Sequence, residues 1–137
     1  MKTRVLDSWP VLEWINARRP ATDTLRKLLE ESEAGDACLL MSAINVGEVY
    51  YFLRKHYSDE LAQSWKELSG TLPVTIVVPT MEEIWDAAVL KACYSIAYAD
   101  AFAVALAHKH HCPLLTGDPE LRLIPDVELD WIGRPEA

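Results

Sequence analysis

Residues 37–56 read ACLLMSAINVGEVYYFLRKH, and this stretch decides the fold. Ala37-Cys38-Leu39-Leu40-Met41 is an unbroken apolar run without polar alternation, the pattern of a strand covered on both faces. Ser42 then stands where a helix N-cap belongs, ahead of a helix that runs to about His56. A doubly covered strand feeding directly into a helix predicts a parallel sheet joined by crossover helices.

The same unit recurs on both sides of this stretch. Upstream, Val5-Leu6 is a very short strand ending at Asp7, and Pro10 marks the start of a helix carrying Val11, Leu12, Trp14 and Ile15. An amphipathic helix over Thr22 to Ala34 follows, with Leu25, Leu28 and Leu29 inside, a solvated Glu-rich face and Gly35 as its stop. Downstream, Ser58-Asp59 opens a helix that Gly70 closes. Val74-Thr75-Ile76-Val77-Val78 is β-branched throughout and predicts a strand, and Thr80-Met81-Glu82-Glu83 has the form of a capping box. The helix around Asp100 extends to about His111, then Pro113-Leu114-Leu115-Thr116 forms a last buried strand before a Gly117-Asp118-Pro119 turn. Val127 to Ile132 adds an edge strand. The expected architecture is a three-layer α/β/α fold with a central, mostly parallel sheet, in a single domain over residues 1–137, without repeats or linkers.

Composition narrows the function classes. The 137 residues are half hydrophobic and a quarter charged, and the usual scaling of surface with mass buries about two-thirds of the chain's area on folding. That excludes a disordered tail or a disulfide scaffold. Thirteen Lys and Arg against 21 Asp and Glu give a net charge of −8, which by bulk electrostatics weighs against a nucleic-acid partner. Cys38, Cys93 and Cys112 are odd in number and irregularly spaced, which suits reduced thiols packing as small apolar groups in a cytoplasmic protein. Val5-Leu6 falls far short of a signal-peptide apolar region, and the most apolar stretch, Ala92 to Ala107, is too short for a membrane span and carries Asp100.

Ligands of open α/β sheets bind beyond the carboxyl ends of the strands. Four acids fall there: Asp7, Glu48, Asp100 and Asp118. Asp100 is the most informative, because it is the sole charge between Ala92 and Ala107 and its helical neighbours Ile96, Ala97, Ala103 and Val104 are apolar. A buried carboxylate there must meet a distant cation, take a proton or bind a metal. Glu48 shows the same anomaly more weakly among Ile44, Tyr51 and Phe52, where a surface Glu at the edge of the stripe is an equal reading. Asp7 and Asp118 also read individually as a helix cap and a turn residue.

Taken jointly, four acids on one sheet edge repel one another, and a divalent cation relieves that repulsion. An all-oxygen, carboxylate-rich site suits Mg²⁺ or Mn²⁺, and one ion, or two about 4 Å apart, activates water against a phosphodiester. Setting these four acids aside takes the net charge from −8 to −4, and bound cations reverse the local field, so the objection to nucleic acid weakens.

The chain resembles the PIN domains, specifically the single-domain VapC-type toxins of toxin–antitoxin pairs. The resemblance rests on Val5-Leu6-Asp7-Ser8, on Ser42 through Glu48-Val49, on Tyr98-Ala99-Asp100-Ala101-Phe102 with Ala105-Leu106-Ala107 behind it, and on Leu115-Thr116-Gly117-Asp118. It implies a Mg²⁺- or Mn²⁺-dependent endoribonuclease whose four acids are Asp7, Glu48, Asp100 and Asp118, with Ser8 and Thr116 as supporting polar groups. It also implies a cognate antitoxin that blocks the site, and a homodimer. Two departures bear on substrate preference: Trp9 where a small polar residue is commoner, and Leu121 in place of an aromatic.

Other features are weaker. His108, His110, His111 and Cys112 match no standard closed zinc site. Arg18-Arg19, Arg26-Lys27 and Arg54-Lys55-His56 suit an RNA backbone or solvated helix faces equally. Trp9 is the candidate for base stacking, while Trp14, Trp65 and Trp85 read as core or interface. No GxGxxG, Walker or GxSxG motif is present. The competing readings are a phospho-acceptor signalling module and a non-catalytic α/β interaction protein whose acids are caps.

Overall fold

The structure is a computed structural model that describes residues 1–135, so the last two of the 137 residues read as one domain lie outside the described residues. Five strands, β1 (Lys2–Leu6), β2 (Ala37–Ser42), β3 (Thr75–Val77), β4 (Leu114–Thr116) and β5 (Leu129–Trp131), form one sheet in the order β3-β2-β1-β4-β5. Every pairing is parallel. Six α-helices connect them: α1 (Ser8–Ile15), α2 (Ala21–Glu33), α3 (Ala43–His56), α4 (Asp59–Ser69), α5 (Met81–Cys93) and α6 (Tyr98–His110). A short 3₁₀ turn spans Pro119–Leu123.

Alternating side chains explain why the strands read as continuous apolar runs. Leu6, Leu39, Met41 and Leu115 enter the core shared with α1 to α4, whereas Val5, Leu40 and Leu114 enter the core shared with α5 and α6. With helices on both faces, period two leaves no solvent-facing row to be polar. This is the expected three-layer α/β/α fold. Ser42 accepts a hydrogen bond from the Ile44 N–H, so the predicted N-cap works as one, and Ser58 accepts from the Leu61 N–H to cap the helix that Ser58-Asp59 opens.

The chain lays β1, β2 and β3 in one direction and then crosses back to place β4 on the other side of β1. Strand order therefore reverses between β1 and β4, which opens a crevice at their carboxyl ends. Asp7 and Asp118 emerge there.

Several expectations need correction. The first helix begins at Ser8, with Pro10 already inside its first turn. The β-branched run narrows to Thr75–Val77 at the sheet edge, leaving Val78 exposed. Thr80 caps Glu83 N–H, but the Glu83 carboxylate completes no capping box: it is buried and pairs with Lys109 at 2.9 Å, linking α5 to α6. Cys38 and Cys112 pack against the core, whereas Cys93 is exposed. Trp65 is core, while Trp85 is 65% exposed.

Candidate metal centre

Asp7 occupies the N-cap position of α1 with extended backbone angles, yet its side chain makes no capping hydrogen bond. The carboxylate turns instead into the crevice. Thr116 at the end of β4 donates its hydroxyl to Asp7 Oδ2 at 2.8 Å, and the same hydroxyl oxygen accepts from the Asp118 N–H at 3.0 Å. One side chain thus orients two acids. Asp118 does cap, accepting from the Glu120 N–H at 3.0 Å, so the turn reading of Gly117-Asp118-Pro119 holds alongside its position in the crevice.

Asp100 comes in the first turn of α6, where the helix dipole favours an anion. It is 4% exposed, and Asp7 is 1% exposed. One carboxylate oxygen each from Asp7, Asp100 and Asp118 lies within 4.8 Å of the others. None of the ion pairs among the described residues involves any of the three. The distant cation that sequence reasoning offered for Asp100 is therefore not among them.

Electrostatics follow from this crowding. Burial pushes the Asp7 carboxyl up to about 7, helped by Glu48 and Asp118 and opposed by the hydrogen bonds from Thr116 and the Ser8 backbone. Burial likewise raises Asp100 to about 8, with Asp7, Asp118, Glu48 and Glu120 adding in that order. Near neutrality these carboxyls therefore still carry proton that a bound cation would displace.

Glu48 stands outside the three-oxygen group, half-buried on α3 but close enough to raise both buried aspartates. Its carboxylate is reached by the amide of Asn45 at 3.5 Å, and that amide also donates to the Ala99 carbonyl at 3.0 Å, tying α3 to the segment that opens α6. Sequence reasoning missed Asn45. Its signal was a polar residue three before Glu48 on the buried face of a helix. Ser8 is buried at the start of α1.

The donor set fits a hard cation. All its atoms are carboxylate oxygens, and Asp7 Oδ1 is fully buried without a hydrogen-bond partner. An orphaned buried carboxylate oxygen is costly unless something absent from the protein itself completes it. The His108 ring, by contrast, is engaged by Asp86 and the Asp126 carbonyl.

Buried acids at the switch point of a parallel α/β sheet stand where open α/β folds bind their ligands. The PIN domain model matches residues 4–127, and the chain belongs to the PIN domain family. Among solved structures it is similar to VapBC2 from Rickettsia felis bound to a DNA fragment from its promoter, with 18% identity, a TM-score of 0.72, and 93% of this chain and 97% of that one covered. It is similar to Mycobacterium tuberculosis VapC20, a Sarcin-Ricin loop cleaving toxin, with 15% identity, a TM-score of 0.70, and 88% and 93% covered. DNA-bound VapBC from Salmonella typhimurium matches at 13% identity and a TM-score of 0.70, over 95% and 98%. No curated relative is found by sequence. Among the described residues no helix is long and apolar enough to cross a membrane.

Proposed function

We propose that this protein is a Mg²⁺- or Mn²⁺-dependent endoribonuclease, the toxin of a type II toxin–antitoxin pair. The observation that carries the reading is the convergence of Asp7, Asp100 and Asp118 within 4.8 Å around an unpartnered buried oxygen of Asp7, with none of the ion pairs among the described residues involving the three. Family membership supplies the reaction class, and VapC20 supplies a precedent on the same fold.

Asp7, Asp100 and Asp118 hold the cation. When bound, it polarises a phosphodiester and lowers the pKa of water toward neutrality. Glu48 sits outside the three, where a carboxylate takes part in ligation or orients the attacking water. Thr116 fixes the Asp7 rotamer and the Asp118 backbone, and Ser8 supports Asp7 from the start of α1.

The partners follow from the same features. A cognate antitoxin inhibits by inserting a basic side chain, since an Arg fork satisfies carboxylates that otherwise need a cation. Met81, Trp85 and Val89 recur at four-residue intervals on α5, each more than half exposed, and to this apolar stripe we assign the pairing of two copies in the cytoplasm. The whole of residues 1–137 acts as one domain.

The test is cleavage of a labelled RNA. Cleavage that needs Mg²⁺ or Mn²⁺, stops with EDTA and resumes on adding metal supports the reading. Cleavage indifferent to EDTA, or none under any metal, contradicts it.

A further inference from the structure

Four of the chain's seven arginines, Arg18, Arg19, Arg122 and Arg134, line a single groove of about 950 Å³. Among the described residues no lysine lines it and Glu13 is its one acid, so it is a cationic strip on a chain of net charge −8. The arginines come from three separated segments: the turn after α1, the 3₁₀ turn and the residues after β5. Ala17 takes a left-handed backbone (φ 53°) just before Arg18-Arg19, ending α1 there.

Two indoles complete the groove, and packing joins it to the acidic centre. Trp9, two residues after Asp7, lies over Gly117, the residue before Asp118. A Cβ at Gly117 would collide with the Trp9 ring and come within 2.7 Å of Gly133 Cα, and a Cβ at Gly133 would come within 2.7 Å of Trp131. Both positions therefore need glycine to let the backbones and rings meet. Arg122 stacks on Trp131 at 3.6 Å from the ring centroid. Among the described residues the side chains of Arg18 and Arg19, both largely exposed, make only long ion pairs, to Glu13 at 3.4 Å and Asp23 at 3.5 Å, which a phosphate readily replaces.

We propose that this groove is the track for the single-stranded RNA flanking the scissile phosphate, with the arginines taking phosphates and Trp9 and Trp131 stacking unpaired bases. The inference rests on the ribonuclease reading and extends it to the form of the substrate. Arginine supplies a planar fork that matches phosphate oxygens, which a lysine does not. Indole faces accept any base but require it to be unstacked, which favours a loop or single strand over a duplex.

The test uses the full chain and a fluorescein-labelled single-stranded oligoribonucleotide, with binding followed by anisotropy in EDTA across a salt series. Arg18→Ala/Arg19→Ala should weaken binding about tenfold and flatten the slope of log affinity against log salt by about 1.4, at about 0.7 per phosphate contact. Arg18→Lys/Arg19→Lys should keep the slope and recover only part of the affinity. Tryptophan fluorescence should quench on binding, and an abasic oligonucleotide of equal length should bind about tenfold more weakly. The Mn²⁺-induced rise in Tm, which reports the acidic centre, should persist in both variants. If wild type cleaves RNA but the alanine variant keeps its affinity and slope, the groove assignment falls and the ribonuclease reading stands. A wild type that neither binds nor cleaves RNA overturns both.

Discussion

The Thr116 hydroxyl donates to Asp7 Oδ2 at 2.8 Å, joining residues 109 positions apart, and it accepts from the Asp118 N–H at 3.0 Å. This bridge holds the ends of β1 and β4 in one arrangement across the switch point. Thr116→Val keeps the shape but leaves Asp7 Oδ2 without its donor, at a cost of about 1–3 kcal/mol. It should also weaken metal affinity about 10- to 100-fold, as loss of an orienting hydrogen bond does. Denaturant titration and Mn²⁺ binding check the two effects.

The raised carboxyls set a pH dependence for the metal-free protein. Asp7 and Asp100 hold protons up to about 7 and 8 when folded but release them near 4 when unfolded. Between those values the native state binds more protons, so stability falls as pH rises. The metal-free Tm should drop from about pH 4 to about pH 8 through these two groups, and saturating Mn²⁺ should remove most of that drop. A metal-free Tm that climbs over the same range through these groups contradicts the sign.

Asp100→Asn removes one charge from the crowd, and should leave the metal-free protein at pH 8 as stable as wild type or more so, by about 1 kcal/mol. RNA cleavage should meanwhile fall by about 100-fold or more, so stability and activity move in opposite directions. Destabilisation by several kcal/mol would instead mark Asp100 as half of an ion pair.

Trp85 is 65% exposed between Met81 and Val89 on α5. If that face pairs two copies, sedimentation should show a wild-type dimer and a Trp85→Glu monomer with unchanged far-ultraviolet dichroism. A wild type that stays monomeric at tens of micromolar, or a Trp85→Glu dimer, rules that face out.

The α/β/α fold was legible because burial writes itself into composition: a strand covered on both faces, such as Leu39 to Met41, cannot hide among polar residues. The edges were less so. Thr75–Val77 pairs on one side only, so its β-branched run overstated the strand, and Pro10 marked the start of α1 two residues late although Asp7 already read as its cap. Within the centre, Asp100 was legible as a lone charge on an apolar helix. Asp7 was legible by its place at a strand end but not by its orientation, because an aspartate before a helix reads the same whether its carboxylate caps or turns away. The spacing of Glu48 set its helix face but not the placement that leaves it outside the three-oxygen group. Arg18, Arg122 and Arg134 never form a run, so only the folded chain reveals their shared groove.

Calorimetric titration of Mn²⁺ into the protein near pH 7 reads the metal centre itself, because the carboxyls that meet the ion carry proton there. The expected result is a saturable site with release of about one proton, seen as a binding enthalpy that depends on the buffer's ionisation heat. Asp7→Asn, Asp100→Asn and Asp118→Asn should each weaken it severely. Absence of a Mn²⁺ site, or a site that survives all three substitutions, would contradict the assignment of Asp7, Asp100 and Asp118 as the metal centre.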